Sequence, residues 1–176
     1  YRKPVRADRE SDLKIFKSLT GNVWRLGVSQ GLMMTVMNVN LTNTALVGSL
    51  LAPTPSLITL PISIQFVAVM LATIPASLMM AQFGRKPIFL IGVFMVTVGA
   101  FGQASSILIA SFGSLVFFSF LLGLGQGVAQ FYRYAAADSV EGSEKAKAVS
   151  LVLLGGLASA IIGPEIAYRT VSLLPN

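Results

Sequence analysis

Residues 57–80 read LITLPISIQFVAVMLATIPASLMM and are followed at 81–87 by AQFGRKP. The first stretch runs for 24 residues without a charged side chain, and about 20 mostly apolar residues are what a helix needs to cross the hydrocarbon core of a bilayer. A helix apolar on every side has no stable place on the surface of a water-soluble domain. The second stretch holds a glycine, two bases and a proline in succession, which is the chemistry of a sharp turn. Together they read as a membrane-spanning helix that leaves the lipid through a basic turn.

The pattern recurs on both sides. Spans are expected near 23–51, 57–80, 88–107, 113–134 and 146–170, separated by Ala52-Pro53-Thr54-Pro55-Ser56, by Gln82 to Pro87, by a serine-rich stretch up to Ser111, and by Asp138 to Glu144. Such short links make consecutive helices antiparallel neighbours. Residues 1–22 carry no apolar run and are expected to form a cytoplasmic tail. Within it Leu13, Phe16, Leu19 and Val23 recur at helical spacing beside Lys14 and Lys17, which fits either an amphipathic helix on an anionic membrane surface or a solvated leader.

Charge gives an independent test of this division, because Lys and Arg accumulate on the cytoplasmic side of a membrane protein. The tail and the entry to the first span hold seven: Arg2, Lys3, Arg6, Arg9, Lys14, Lys17 and Arg25. The loop after the second span holds Arg85 and Lys86, and the region after the fourth holds Lys145 and Lys147, just beyond Arg133. The loops after the first and third spans hold none. This alternation places the amino terminus inside, with Arg169 as an exception able to snorkel to the outer interface.

Composition excludes several classes. Only 11% of the residues are charged and 54% are hydrophobic, whereas a soluble domain carries roughly 25% charge. There is no cysteine and no histidine, so disulfides, thiolate metal sites and hydrolytic triads that use either residue are excluded. No nucleophile with a base, phosphate loop or metal cluster is present. The chain is therefore expected not to be an enzyme and to need no cofactor or metal. The net charge of +6 lies at the predicted cytoplasmic ends, which accounts for it without a nucleic-acid partner.

Within lipid, helices approach closely through small residues, because burying apolar surface gains little there. Gly27 and Gly31, then Gly123 and Gly127, then Gly155, Ser159 and Gly163 recur at four-residue spacing and are candidate packing stripes, with Pro164 beside the last. Pro61, Pro75 and Pro164 fall inside the expected spans and favour kinks.

The segment Ser77-Leu78-Met79-Met80-Ala81-Gln82-Phe83-Gly84-Arg85-Lys86-Pro87 resembles the signature loop of the major facilitator superfamily, Gly-x-Leu-Ala-Asp-Arg-x-Gly-Arg-Lys. Gly84, Arg85 and Lys86 match it in the expected loop. Ser77 stands where the family has its first glycine, and Ala81 where it has an aspartate. The resemblance implies that this loop is a cytoplasmic gating element, and the missing acid puts the usual charge latch in doubt. Gly123-Leu124-Gly125-Gln126-Gly127 is similar to the family's Arg-x-x-Gln-Gly element, with Gly123 in place of the arginine used by proton-coupled members. Gly163-Pro164 resembles the Gly-Pro of the antiporter motif. The run from Phe131 to Asp138, together with Gly163-Pro164-Glu165, resembles a bacterial branch that includes riboflavin transporters. Members have twelve helices in two six-helix halves built from inverted repeats. The chain begins at Tyr1 and shows five spans, so it is expected to be part of the amino-terminal half or a half-length chain recruited to a larger assembly.

Polar side chains in a span default to the bundle interior or a cavity. Gln30, Met34, Asn38 and Thr42 share one face of the first span, with Asn40 and Asn43 on a neighbouring one; Gln126, Gln130 and Arg133 share a face of the fourth, flanked by Tyr132. In the superfamily these two helices line the central pathway, so Gln30, Asn38, Thr42, Gln126, Gln130, Tyr132 and Arg133 are solute-pathway candidates. The alternative, amides that bond between helices, stands equally open. For Gln65 and Gln103, each alone on an apolar helix, that structural role is favoured. Arg133 is expected near the inner surface, meeting Asp138, Glu141 or other inner-loop groups, and Glu165 near the outer end, pairing with Arg169.

The expectation is thus an all-α integral membrane protein with five helices of a six-helix half-domain. It would lie in a bacterial inner membrane with its amino terminus in the cytoplasm. One reading of its function is secondary transport of a small solute. The other is a non-transporting membrane subunit. Expected partners are the bilayer, the solute and either the missing carboxy-terminal half or other membrane subunits.

Overall fold

The computed structural model describes the backbone of residues 5–138 and, beyond them, residues 145, 149–150, 152–157, 159–160 and 165. Side chains are described from residue 21 onward, apart from residue 22. Among the described residues the chain is helical, in the order α1 (Val5–Leu51), a 3-10 turn (Pro55–Leu57), α2 (Leu60–Phe83), α3 (Arg85–Leu108), α4 (Phe112–Ala129) and α5 (Tyr132–Asp138). Three stretches are long and apolar enough to cross a membrane: Pro55–Phe83, Arg85–Leu108 and Phe112–Asp138.

α1 differs from expectation in two ways. It starts at Val5, so the stretch read as a separate tail continues into the helix without a break. Its 47 residues correspond to about 70 Å at 1.5 Å per residue. Yet α1 is not among the three apolar stretches, because Gln30, Asn38, Asn40 and Asn43 lower its mean hydropathy. The segment expected at 146–170 lies largely outside the described residues, Gly163, Pro164 and Arg169 included; its described residues are helical.

The boundaries have local causes. Pro61 sits in the first turn of α2, where its missing N–H leaves no carbonyl unpaired, so it opens the helix instead of kinking it. Pro75 lies inside α2 without ending it. One residue, Gly84, separates α2 from α3; it has φ 82° and ψ 167°, a region open in practice to glycine alone. Its N–H still closes α2 by bonding to Met80 O at 3.0 Å. That conformation is the physical reason for the glycine in Gly84-Arg85-Lys86. At the other end of α3, Ala110 takes a φ of 49°, and the amides of Ile109, Ala110 and Ser111 bond to Ser105, Ile107 and Ser106 O, satisfying carbonyls at the helix end. The Ser111 hydroxyl then caps α4 by accepting from Ser114 N.

α4 lies between α2 and α3 and touches both through its backbone. Gly123 and Gly127 face α2: a Cβ at 127 would fall 2.7 Å from Ala72 Cβ and 2.8 Å from Val69 O. Gly125 faces α3, where a Cβ would lie 2.5 Å from Gly92 O. α3 contributes glycines of its own, with Gly92 against Val128, Gly99 against Leu122 and Gly102 against the Phe118 ring. The sequence stripe at Gly123 and Gly127 therefore describes half of this contact; Gly92, Gly99, Gly102 and Gly125 supply the other half. Gly27 and Gly31 of α1 meet Gly155, with a Cβ at 31 lying 2.8 Å from Gly155 O. The outward faces carry large apolar side chains, among them Met70, Ile74, Phe94 and Phe101, all about 70% exposed. That is the arrangement a lipid-facing surface requires.

Candidate functional site

The buried polar side chains form two bridges between helices. In the first, Gln65 Nε2 of α2 donates to Gln126 Oε1 of α4 at 2.9 Å. Both amides are buried, and among the described residues Gln65 Oε1 and Gln126 Nε2 have no partner. In the second, Thr44 of α1 donates to Asn40 Oδ1 at 3.0 Å, Asn40 Nδ2 donates to Gln103 Oε1 of α3, Gln103 Nε2 donates to Ser119 Oγ of α4 at 2.8 Å, and Ser119 donates to Leu115 O. Four donors pass along one chain that ties α1, α3 and α4. Gln65 and Gln103 do bond between helices, and their partners are Gln126, a pathway candidate, and Asn40.

The candidate face of α1 looks toward the segment that follows α5. Asn38 Nδ2 donates to Ser159 O at 3.3 Å, and a Cβ at Gly156 would lie 3.5 Å from Met34 and 4.0 Å from Gln30. Gln30 is buried and its Oε1 has no partner among the described residues. Thr42 is exposed and bonds back to Asn38 O at 3.1 Å, so the four residues that share a face in sequence divide between a packed interior and an open edge.

At the end of α4 that meets the Gly84 turn, the chain breaks helix briefly at Gln130 and Phe131. Tyr132 is buried, its ring edge-on to Phe89 with centroids 4.8 Å apart. Arg133 packs its guanidinium 5.1 Å from the Tyr134 ring centre, and its buried Nε has no hydrogen-bond partner among the described residues. Arg133 does not take Asp138, as the sequence led us to expect. Asp138 is held by Arg85, which reaches it from the first turn of α3. Arg133 lies five residues before Asp138, about 7 Å deeper along the helix at 1.5 Å per residue, and its side chain lines the α2 side of the bundle. Arg85 stands next to the turn and is closer. The expected partner Glu141 lies outside the described residues, as does Arg169, the expected partner of Glu165.

The Arg85–Asp138 pair means that the Gly84 turn is clasped to the end of α5 although Ala81 carries no acid. Lys86 is exposed and shares a groove with Arg25 and Ser29 of α1. Asp138 was identifiable in sequence only as a group at the same membrane face as Arg85, and the choice between two nearby arginines needed the fold. No group of three or more His, Cys, Asp or Glu able to hold a metal is found among the described residues.

A profile of the Major Facilitator Superfamily matches residues 27–174, which spans both bridges and the clasp. The chain belongs to the major facilitator superfamily. It is an integral membrane protein of that family, built on its amino-terminal half. The riboflavin transporter RfnT of Brucella anthropi is 33% identical over 155 residues, covering 88% of this chain and 39% of the relative. The superfamily chain thus spans well under half the length of that curated relative. No solved structure matches it.

Proposed function

We propose that this superfamily chain forms part of a secondary transporter that moves a small organic solute by alternating access, not an enzyme. Five spans would cross a bacterial inner membrane with the amino terminus in the cytoplasm, completed by a carboxy-terminal half. The observation that carries the proposal is the likeness to a protein named a riboflavin transporter, which makes riboflavin the first solute to test. Its support in the geometry is a set of buried amide atoms without partners, Gln30 Oε1, Gln65 Oε1 and Gln126 Nε2, since such atoms inside a bundle are costly unless something else binds them. In this reading Gln30, Asn38, Thr42, Gln126, Gln130, Tyr132 and Arg133 border the pathway, and Gly84, Arg85 and Lys86 with Asp138 form the inner gate.

The test is uptake of labelled riboflavin by vesicles containing the full-length protein. Uptake above empty vesicles, reduced about tenfold by Gln126→Ala at equal insertion, is the expected result. Wild-type protein that inserts but moves none of a panel of flavins and similar heteroaromatic solutes would defeat the proposal. A second reading, a non-transporting membrane subunit, draws on one observation: Asn38, Gln65 and Gln126 all spend hydrogen bonds on other helices. Purification in mild detergent separates the two, since a subunit should emerge with stoichiometric partner proteins.

A further inference from the structure

Between α2 and the α4–α5 junction, at the end of the bundle that carries the Gly84 turn, lies a cavity of about 810 Å³. Arg133, Arg85, Thr73, Ser77, Gln130 and Tyr134 are its polar lining, and among the described residues no Asp or Glu lines it. Arg85 is engaged by Asp138. Arg133 has no acidic partner among the described residues, its Nε is buried with no hydrogen-bond partner, and it sits about one and a half helical turns deeper than the Arg85–Asp138 pair. The Ser77 hydroxyl and the Gln130 amide make no hydrogen bond among the described residues. The cavity wall also includes Ala81, where the family's signature loop has an aspartate. A chain with an acid at that point would have a carboxylate in the cavity; this one has a methyl group.

Arg133 is half-buried with its Nε enclosed, and cationic side chains within membrane proteins are normally paired or face a functional cavity. Its planar donors match the oxygens of a phosphate or carboxylate. Ser77 and Gln130 offer uncharged donors in the same space, and Tyr134 braces the guanidinium from one face. We infer that this cavity is an anion-binding site, in which Arg133 supplies the charge and Ser77 and Gln130 complete the hydrogen bonding to a phosphate or carboxylate group. With Ala81 in place of an acid, the inferred anion is carried by a small water-borne molecule or by a phospholipid headgroup. Gln130 and Arg133 also border the proposed pathway, so the inference rests in part on that reading.

The experiment uses full-length protein in nanodiscs of phosphatidylcholine, with the thermal unfolding midpoint followed as inorganic phosphate is raised at constant ionic strength. The midpoint should rise, half-maximally in the millimolar range. Arg133→Gln should weaken the response at least tenfold, and Arg133→Lys should retain part of it. Ala81→Asp, at an exposed position that tolerates a polar side chain, should abolish it by supplying an internal carboxylate, and this guards against a folding defect in the arginine variants. If phosphate has no effect but phosphatidylglycerol in the nanodisc raises the midpoint with the same dependence on Arg133 and Ala81, the site stands with a lipid headgroup as its anion. A response to neither, or a response unchanged in both Arg133→Gln and Ala81→Asp, overturns the inference. Riboflavin uptake measured alongside keeps the two proposals apart: uptake without an anion response removes the site alone, and an anion response without uptake removes the transport reading alone.

Discussion

α4 and α1 both carry glycines at four-residue spacing and buried amides, but they pack in different ways. α4 is enclosed on two sides, with Gly123 and Gly127 against α2 and Gly125 against α3, so that main chain approaches main chain along both contacts. α1 makes two comparable approaches, Gly27 and Gly31 against Gly155 and Gly48 against Ile58 O, packs Val23 and Leu26 against Ala136 and Val152, and adds polar contacts, Asn38 to Ser159 and Asn40 to Gln103. Close backbone approach gains dispersion along its whole length, whereas a bridge of amides concentrates the attraction at a few points. The packing of the α2–α3–α4 unit is thus the more continuous, and α1 adds side-chain hydrogen bonds to its neighbours.

The comparison breaks most readily at Gly125. A leucine there would drive its side chain into Gly92 O and Val96, and overpacking of this kind costs about 3 kcal/mol or more where backbone cannot yield. Gly125→Leu should abolish monodisperse protein in detergent, read by size-exclusion chromatography. A folded, stable variant would show that α4 is not enclosed.

A smaller effect is expected at the Gln65–Gln126 bridge. Gln126→Leu and Gln65→Leu should each lower the unfolding free energy by roughly 1 kcal/mol, within the range measured for amides in membrane helices. The double variant should cost less than the sum, because removing both partners leaves no orphaned polar atom. Additivity would mean the two amides act separately.

The Arg85–Asp138 clasp is partly exposed, so its contribution to stability should be under about 1 kcal/mol, and its importance should show in transport instead. Arg85→Asp or Asp138→Arg alone should slow uptake several-fold with little change in thermal midpoint, and the double exchange should recover much of the rate. Failure of the exchange to recover any activity would remove the clasp from the gate. The smallest effect is expected at Gly113, in the first turn of α4, where an added Cβ meets nothing within 4 Å. Gly113→Ala should change stability by no more than about 1 kcal/mol, in the stabilising direction, and the contrast with Gly125 measures how far glycine is required by contact and not by habit.

Particular residues show where sequence reading reached. The apolar runs at 57–80, 88–107 and 113–134 correspond to α2, α3 and the α4–α5 stretch, and Gly84-Arg85-Lys86 pointed to the superfamily to which the chain belongs. Gly125 and Gly99 were not singled out, because Gly125 lies across α4 from Gly123 and Gly127, and Gly99 of α3 has no glycine four residues away. Asn40 was placed on a neighbouring face of α1 and Gln103 read as solitary, since spacing within one helix says nothing about a partner on another. Pro61 was read as a kink because the helix start could not be fixed to within a turn.

The sequence alone determined that this chain is helical, resides in lipid and belongs to its family. Those properties follow from how many apolar residues span a bilayer and from a short motif, both of which are properties of the linear chain. Only the tertiary structure decided that Asp138 takes Arg85 and not Arg133, that Gln126 spends its oxygen on Gln65, and that Arg133 faces a cavity lined by no acid among the described residues. Those choices depend on which helix faces approach through glycine and at what depth, and distances across a bundle are not written in the order of residues along it.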